Sequence, residues 1–375
     1  MFSMIPVNAP KIPKNAIKYV TDAVSSGWIS SAGKYVDEFE KSFAKYTNTN
    51  YATTCSNGTV SLQLALASLG VNAGDEVIIP SLTIISCALA CVYLGATPVV
   101  VDVERDSFCI DVSKIEEKIT SKTKAIMPVH LYGQCCDMEP ILSIAKKYNL
   151  FVLEDAAEAI GAEYKGKRAG SMGDIGSFSL YANKLVTCGE GGVLTTNDEN
   201  LYERAKTLKN LAHSKGKRFW HEEVGFNFRM TNIQSALALA SLEEARESLK
   251  QKQEMSQWYD EGLKDVSGLT LPIKSTYNNV HSFWMYAIVV EDSFGISALE
   301  LMRRLKEEYQ VDTRPFFYPI NEQPALEKFF KGDKTLYPVS KELSEKGFYL
   351  PSGLTLTKLQ ADEVIFAIKS IKQSI

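Results

Sequence analysis

Short apolar runs rich in valine, isoleucine and threonine alternate with amphipathic segments along the first two hundred residues. Segments 58–70 and 137–149 repeat apolar residues with a helical period, whereas the apolar runs have the length and composition of strands. The predicted strands cover 51–56, 76–80, 97–103, 124–132, 151–157, 176–181 and 191–198. This alternation predicts an α/β fold with a mainly parallel sheet and helices on both faces. Because ligands bind beyond the carboxyl ends of parallel strands, residues that follow the runs are the candidates for chemistry.

The pattern changes after the segment "GFNFRMTN" (225–232). A charged amphipathic stretch predicts one long connecting helix over 233–263, followed by a strand at 283–291 and a helix at 297–309. A chain of 375 residues is longer than a single core usually supports. We therefore predict a large domain over 1–244 and a smaller C-terminal α+β domain over 245–375.

The composition of the chain limits the classes of protein to which it can belong. Apolar residues make up 45% and charged residues 23% of the chain, and the net charge is −4, so the sequence predicts a globular protein without a nucleic-acid partner. The longest apolar stretch, 84–101, is interrupted by polar residues and predicts a buried helix and a strand rather than a membrane span. The N-terminus has no secretory signal pattern, which favours the cytoplasm. Seven cysteines form neither a disulfide framework nor a ligand set typical of a metal site, so reduced thiols and no metal are expected.

Three segments carry candidate chemistry. The first, "TCSNGTVSL" (54–62), runs from a strand into a helix through Ser56, Asn57, Gly58 and Thr59. The free N–H groups at a helix start suit a phosphate, although the same residues also form an ordinary turn and helix cap.

The second segment, "FVLEDAAEA" (151–159), places Glu154 and Asp155 at the end of an apolar strand. A carboxylate there either holds a protonated heterocyclic nitrogen or caps the next helix. The third segment, "SFSLYANKLVTCGEGG" (177–192), carries the isolated Lys184. A lysine near a phosphate site and a carboxylate can form a Schiff base, and the cofactor with a phosphate, a pyridine nitrogen and an aldehyde is pyridoxal 5′-phosphate (PLP).

The motifs "SNGT", "EDAAEA", "SFSLYANK", "GEGG" and "GFNFRMTN" occur in this order, and nearly the whole chain resembles the DegT/DnrJ/EryC1/StrS family of sugar aminotransferases. The resemblance implies the aspartate-aminotransferase-like fold type I, with a mixed, mainly parallel seven-stranded sheet flanked by helices. Within the family, the resemblance is to the branch that uses L-glutamate to aminate a GDP-linked 4-keto-6-deoxymannose.

The resemblance also implies roles for individual residues. Lys184 would bind PLP and move a proton during the reaction, and Asp155 would pair with the pyridine nitrogen. Glu158 would lie near the cofactor ring. The amides of Gly58 and Thr59 would hold the phosphate.

Further cofactor contacts follow from the same resemblance. Ser179 would hold the phosphate through its hydroxyl, and Ser56 and Asn57 would complete that site. Asn227 would reach the phosphate of the neighbouring subunit, which implies a homodimer with shared active sites. Ile84 occupies the place where relatives carry an aromatic residue that stacks on the ring.

Substrate contacts are predicted at five positions: Arg314, Tyr318, His130, Lys217 and Arg218. For Arg314 and for the basic stretch that contains Lys217, a solvated surface is the alternative, and for His130 it is a core position. The sequence departs from the GDP-sugar branch at Gln134, at Ala182 and in 209–214, which are expected to line the acceptor pocket.

The leading functional hypothesis is therefore a PLP-dependent transfer of the amino group of L-glutamate to a nucleotide-linked 4-keto-6-deoxy sugar, which would serve lipopolysaccharide O-antigen synthesis. One alternative is a different keto sugar, such as an eight- or nine-carbon keto sugar acid. Another is a non-catalytic regulator that senses PLP or a sugar. A dehydratase of the same family is disfavoured, because those enzymes carry histidine in place of Lys184.

Overall fold

The structure is a computed structural model that describes residues 4–214, 216–217, 219–273, 277, 279–332 and 335–375. Seven strands form the large sheet: β1 (Tyr51–Cys55), β2 (Glu76–Pro80), β3 (Thr97–Val101), β4 (Thr123–Ile126), β5 (Phe151–Asp155), β8 (Ile175–Ser179) and β9 (Gly192–Thr196). A small hairpin, β6 (Glu163–Tyr164) and β7 (Lys167–Arg168), lies between β5 and β8 in the chain. All seven predicted strands of the large sheet are present, each shorter than or equal to its predicted span.

The strand order in the large sheet is β1-β9-β8-β5-β4-β2-β3. Strand β9 is antiparallel to both of its neighbours, whereas β8, β5, β4, β2 and β3 run parallel. The predicted mixed, mainly parallel seven-stranded sheet is confirmed. One register places Asp155 beside Ser177, so the carboxyl ends of β5 and β8 lie next to each other.

The helices are α1 (Ala16–Ser25), α2 (Lys34–Thr47), α3 (Gly58–Ser68), α4 (Ser86–Val92), α5 (Met138–Tyr148), α6 (Glu199–Lys209), α7 (Asn232–Glu243), α8 (Ala245–Leu263), α9 (Ala298–Tyr309), α10 (Glu327–Phe330), α11 (Pro338–Lys346) and α12 (Lys358–Gln373). Short 3-10 turns cover Val112–Lys114, Glu116–Lys118, Leu131–Gly133, Asp292–Phe294, Ile320–Glu322 and Pro324–Leu326. Two hydrophobic clusters include residues of the large-sheet strands, one containing residues of α3 and α4 and the other residues of α2, α5 and α7. Segment 84–101 forms a helix and a strand, as predicted.

The predicted single helix over 233–263 is wrong, because two helices, α7 and α8, meet at Glu244. The backbone of Glu244 leaves the helical region, with φ −95° and ψ 2°. Its carboxylate accepts a hydrogen bond from the backbone N–H of Lys14 at 2.8 Å and pairs with Lys11 at 3.2 Å. The bend is therefore fixed by contacts with the N-terminal segment, which helical periodicity does not reveal.

A second sheet contains β10 (Leu269–Thr270), β11 (Tyr286–Val290), β13 (Gly347–Leu350) and β12 (Arg314–Pro315), all antiparallel, in that order. Its core includes side chains of α8, α9 and α12. Ile5 also lies in this core and bridges Val311. The domain boundary at 244/245 stays a prediction. Within the described ranges, no helix is long and apolar enough to cross a membrane, and no cluster of three or more His, Cys, Asp or Glu residues could hold a metal ion.

Candidate active site

A cleft of about 670 Å³ opens at the carboxyl ends of the large-sheet strands. This volume lies in the range typical of ligand sites. Residues that follow β1, β2, β4, β5 and β8 line it, as the strand pattern predicts. The lining includes eight residues predicted from the sequence: Asn57, Gly58, Thr59, Ile84, Asp155, Glu158, Ser179 and Lys184.

One end of the cleft is the start of α3. The side chain of Asn57 caps this helix by accepting a hydrogen bond from the N–H of Val60 at 3.0 Å. The N–H groups of Gly58 and Thr59 lie in the first turn, where no intrahelical acceptor exists. A Cβ added at Gly58 would lie 2.7 Å from the Cβ of Ser179, so only glycine permits this approach. These donors and the Ser179 hydroxyl form a cradle for a phosphate group.

Ser86 adds a hydroxyl to this cradle. It begins α4, and its Oγ lies 2.8 Å from the Oγ1 of Thr59. Its contribution was not predicted, because only the folded chain brings α4 beside α3.

At the centre of the cleft, Asp155 ends β5 and is 2% exposed. Its Oδ1 accepts a hydrogen bond from the N–H of Ala157 at 3.0 Å, and its Oδ2 accepts one from the thiol of Cys87 at 3.2 Å. Burial raises the pKa of Asp155 above its ordinary value. A buried carboxylate with remaining acceptor capacity suits the protonated nitrogen of a heterocycle.

Lys184 follows β8 and is almost buried in the cleft. Its Nζ lies 3.6 Å from Oε1 of Glu158 and 3.7 Å from the ring centroid of Trp284. Burial lowers the pKa of Lys184, although Glu158 and Asp155 oppose that shift. A desolvated amine with a lowered pKa is more often in the unprotonated form that attacks an aldehyde.

Glu158 lies between Lys184 and the wall of the cleft. Its Oε2 accepts a hydrogen bond from the N–H of Tyr132 at 2.9 Å. Tyr132 has a left-handed backbone, with φ 53°, and this conformation is one that L residues rarely adopt. Burial raises the pKa of Glu158 to about 7, although the positive charge of Lys184 opposes that shift.

The small sheet and its flanking segments contribute three aromatic residues to the cleft that the sequence analysis missed: Trp284, Phe317 and Tyr349. Trp284 packs on Lys184, and its indole N–H donates to the carbonyl oxygen of Asn183 at 2.9 Å. More than 90 residues separate these aromatics from Lys184 in the chain, and no local pattern marks them.

Six predicted site residues that the structure describes lie outside the cleft lining, and two of them, His130 and Ser56, are buried or partly buried. His130 is fully buried, with its Nε2 3.0 Å from Oε2 of Glu154 and its Nδ1 accepting the N–H of Cys136 at 3.1 Å. The structure thus places His130 in the core, the alternative considered from the sequence. Ser56 is partly buried beside the cradle, where its N–H donates to the carbonyl oxygen of Phe228 at 2.9 Å.

The remaining predicted residues that the structure describes lie at the surface. Arg314 pairs with Asp312 at 2.8 Å, Tyr318 is 67% exposed, and Lys217 lies over the ring of Trp220 at 3.8 Å. Asn227 is exposed. Arg218 lies outside the described residues.

The positions that depart from the GDP-sugar branch do not line the cleft either. Gln134 is 3% exposed in the core, and Ala182 lines a separate small cavity behind Lys184. In segment 209–214, Ala212 is buried and Leu211 is exposed.

The phosphate cradle, the buried carboxylate and the desolvated lysine match the three functional groups of PLP, and the Gly58–Ser179 approach leaves the cradle open for a phosphate. With a mixed seven-stranded sheet that places these groups at its carboxyl edge, the fold and site define a PLP-dependent aminotransferase.

Comparison with known proteins identifies the family to which the enzyme belongs. The model of the DegT/DnrJ/EryC1/StrS aminotransferase family matches residues 10–369, and the chain belongs to this family. GDP-perosamine synthases from Escherichia coli O157:H7 and Caulobacter vibrioides are 42% and 41% identical, and each match covers 98% of this chain and 98% of the relative. Spr1654 from Streptococcus pneumoniae, solved in its PLP form, superimposes with a TM-score of 0.91 at 28% identity over 99% of both chains.

Proposed function

We propose that this enzyme transfers the amino group of L-glutamate to the 4-keto carbon of a GDP-linked 4-keto-6-deoxymannose. The observation that carries this proposal is a cleft that gathers Lys184, Asp155 and the cradle of Gly58 and Ser179, in a chain that two GDP-perosamine synthases match along 98% of their length. The product would be an amino sugar for O-antigen synthesis in the cytoplasm.

The residues of the cleft would have different roles in the reaction. Bound PLP supplies a conjugated ring that withdraws electrons from the carbon that loses or gains a proton. Asp155 keeps the ring nitrogen protonated, which maintains that withdrawal. Lys184 would hold the cofactor and, once free of it, would carry a proton between the substrate carbon and the cofactor. Glu158 holds the Lys184 amine 3.6 Å from its carboxylate between these steps.

The excess of acidic over basic residues in the cleft lining supports a second copy of the chain as the partner. Of the described residues that line the cleft, three are acidic (Asp155, Glu158 and Glu190) and only Lys184 is basic. A nucleotide diphosphate therefore needs cations from outside this lining. Arg314, Lys217 and Arg218 are the candidates, with Asn227 of a neighbouring copy at the cofactor phosphate. A homodimer with shared active sites would meet this need.

The first experiment is the visible absorption spectrum of the protein with PLP. Wild type should form a visible band that excess L-glutamate bleaches, and GDP-4-keto-6-deoxymannose should restore it. Lys184→Ala should form no such band. Lys167→Ala is the matched control, because this exposed lysine lies on the hairpin away from the cleft and should behave as wild type.

The sugar is tested separately. If GDP-4-keto-6-deoxymannose fails to restore the band and an eight- or nine-carbon keto sugar acid succeeds, the acceptor assignment is wrong while the enzyme class stands. A protein that binds PLP without any response to L-glutamate would instead favour the regulator.

A further inference from the structure

The thiol of Cys87 contacts the carboxylate that faces the pyridine nitrogen. Cys87 lies on α4, is fully buried, and has its Sγ 3.2 Å from Oδ2 of Asp155. The other carboxylate oxygen accepts the N–H of Ala157 at 3.0 Å. One contact comes from the loop after β5 and the other from a separate helix, so together they fix the rotation of the carboxylate.

In the hydrogen bond between Cys87 and Asp155, the proton is bound to the sulfur of Cys87. Burial and the negative charge of Asp155 raise the pKa of the Cys87 thiol well above its usual range, so the thiol stays protonated and donates. The Oγ1 of Thr83, which is 1% exposed and lines the cleft, lies 3.4 Å from the same sulfur. Since the only thiol proton points at Asp155, the Thr83 hydroxyl is the donor to sulfur. A chain of donors therefore runs from Thr83 through Cys87 to Asp155.

We propose that Cys87 is a positioning residue for the reaction: its thiol orients Asp155 toward the pyridine nitrogen of PLP while leaving the carboxylate most of its negative charge. A thiol is a weak donor, whereas a hydroxyl or an amide would take up more of the charge that the pyridinium needs. This inference rests on the PLP-dependent chemistry and is independent of which sugar accepts the amine.

Cys91 offers a matched control on the same helix. It lies one turn after Cys87, is also fully buried, and donates its thiol proton to the carbonyl oxygen of Cys87 at 3.3 Å. Replacing either cysteine with alanine removes one buried thiol from α4, but only Cys87→Ala removes a contact with Asp155. A difference between the two variants therefore reports the contact rather than the packing of the helix.

The experiment measures the dissociation constant for PLP by titration of the visible band, and kcat and KM for L-glutamate separately. In Cys87→Ala, the dissociation constant should rise about three- to tenfold, the effect of one lost hydrogen bond. We expect kcat to fall by a similar factor with KM unchanged, because Asp155 acts on charge that develops in the transition state. Cys87→Ser, which keeps a donor, should recover most of the affinity, and Cys91→Ala should retain both wild-type values.

The proposal fails if Cys87→Ala and Cys91→Ala change PLP affinity and kcat equally, since packing would then explain both. It also fails if Cys87→Ala stays within twofold of wild type in both quantities. Should the alanine variant not fold, Cys87→Val fills the cavity without a donor and is measured in its place, with the same expected result.

Discussion

The side-chain nitrogen of Lys184 lies 3.7 Å from the centroid of the Trp284 ring. Lys184 follows β8 of the large sheet, and Trp284 lies two residues before β11 of the small sheet. The carbonyl oxygen of Trp284 accepts a hydrogen bond from the buried Lys252 of α8 at 2.8 Å. The small-sheet layer therefore contacts one side of the Lys184 side chain, while Glu158 contacts the other.

Replacement of Trp284 should impair catalysis more than it impairs folding. Trp284→Phe keeps an aromatic face but loses the indole donor to Asn183, and we expect kcat to fall about three- to tenfold because Lys184 is less well placed. Stopped-flow bleaching of the visible band by L-glutamate measures this step. Trp258→Phe, which alters a tryptophan of α8 outside the cleft lining, is the control and should leave the bleaching rate unchanged.

The stability of the cofactor-free protein should fall as pH rises from about 4.5 to 7. In this window Glu158, with a pKa of about 7 in the folded state, binds more protons than it does in the unfolded chain. A raised carboxyl pKa makes the charged form unfavourable, so the effect grows to at most about 3 kcal/mol near pH 7. Urea unfolding at several pH values should show that the free energy of unfolding of wild type falls over this pH range. It should fall less in Glu158→Gln. Equal slopes in the two proteins would exclude Glu158 as the cause.

Gly58→Ala should weaken PLP binding at least tenfold, because the added Cβ would lie 2.7 Å from the Cβ of Ser179 and would push α3 away from the cradle. Overpacking of this kind also destabilises by about 1 to 3 kcal/mol. The double variant Gly58→Ala with Ser179→Gly removes the collision and the hydroxyl together. We expect it to regain thermal stability but not PLP affinity; recovery of both would mean that the Ser179 hydroxyl is dispensable.

We expect Lys252 to stabilise the packing of α8 on the small sheet. Its Nζ donates to the carbonyl oxygens of Trp284 and Ser352, and the residue is 2% exposed. Lys252→Met leaves two buried acceptors unpaired and should lower the free energy of unfolding by about 3 kcal/mol. Tyr259→Phe removes a single bond from the same helix to the carbonyl oxygen of Pro351 and should lower it by about 1 kcal/mol. Denaturant unfolding of both variants tests whether Lys252→Met lowers the free energy of unfolding more than Tyr259→Phe does.

Ile84→Tyr should tighten PLP binding. Ile84 is 39% exposed in the cleft. The resemblance to the family implies that this position lies against the cofactor ring. Stacking adds roughly 0.5 to 1.5 kcal/mol, so the dissociation constant should fall about two- to tenfold. Ile84→Ala provides the opposite change and should raise it. An unchanged value in both variants would place the ring away from Ile84.

The part of the site that follows strands was predictable from sequence. Gly58, Asp155 and Lys184 each come directly after an apolar run or within a few residues of one, and the carboxyl ends of neighbouring parallel strands meet at one edge. Trp284 was not predictable, because its contact with Lys184 depends on how the two sheets pack. The bend at Glu244 was missed for a similar reason: a contact with Lys14, 230 residues away in the chain, sets it.

The pairing of β1 with β9 has a consequence for biosynthesis. Tyr51 lies opposite Thr196, so the first strand of the large sheet finds its partner only after residue 196 has left the ribosome. Until then β1 has no partner in the sheet, and Ser179, which completes the cradle, leaves the ribosome only shortly before. Such long-range pairing forms slowly and leaves apolar strand surface exposed during synthesis. The cradle at the start of α3 therefore forms only late in the synthesis of the chain.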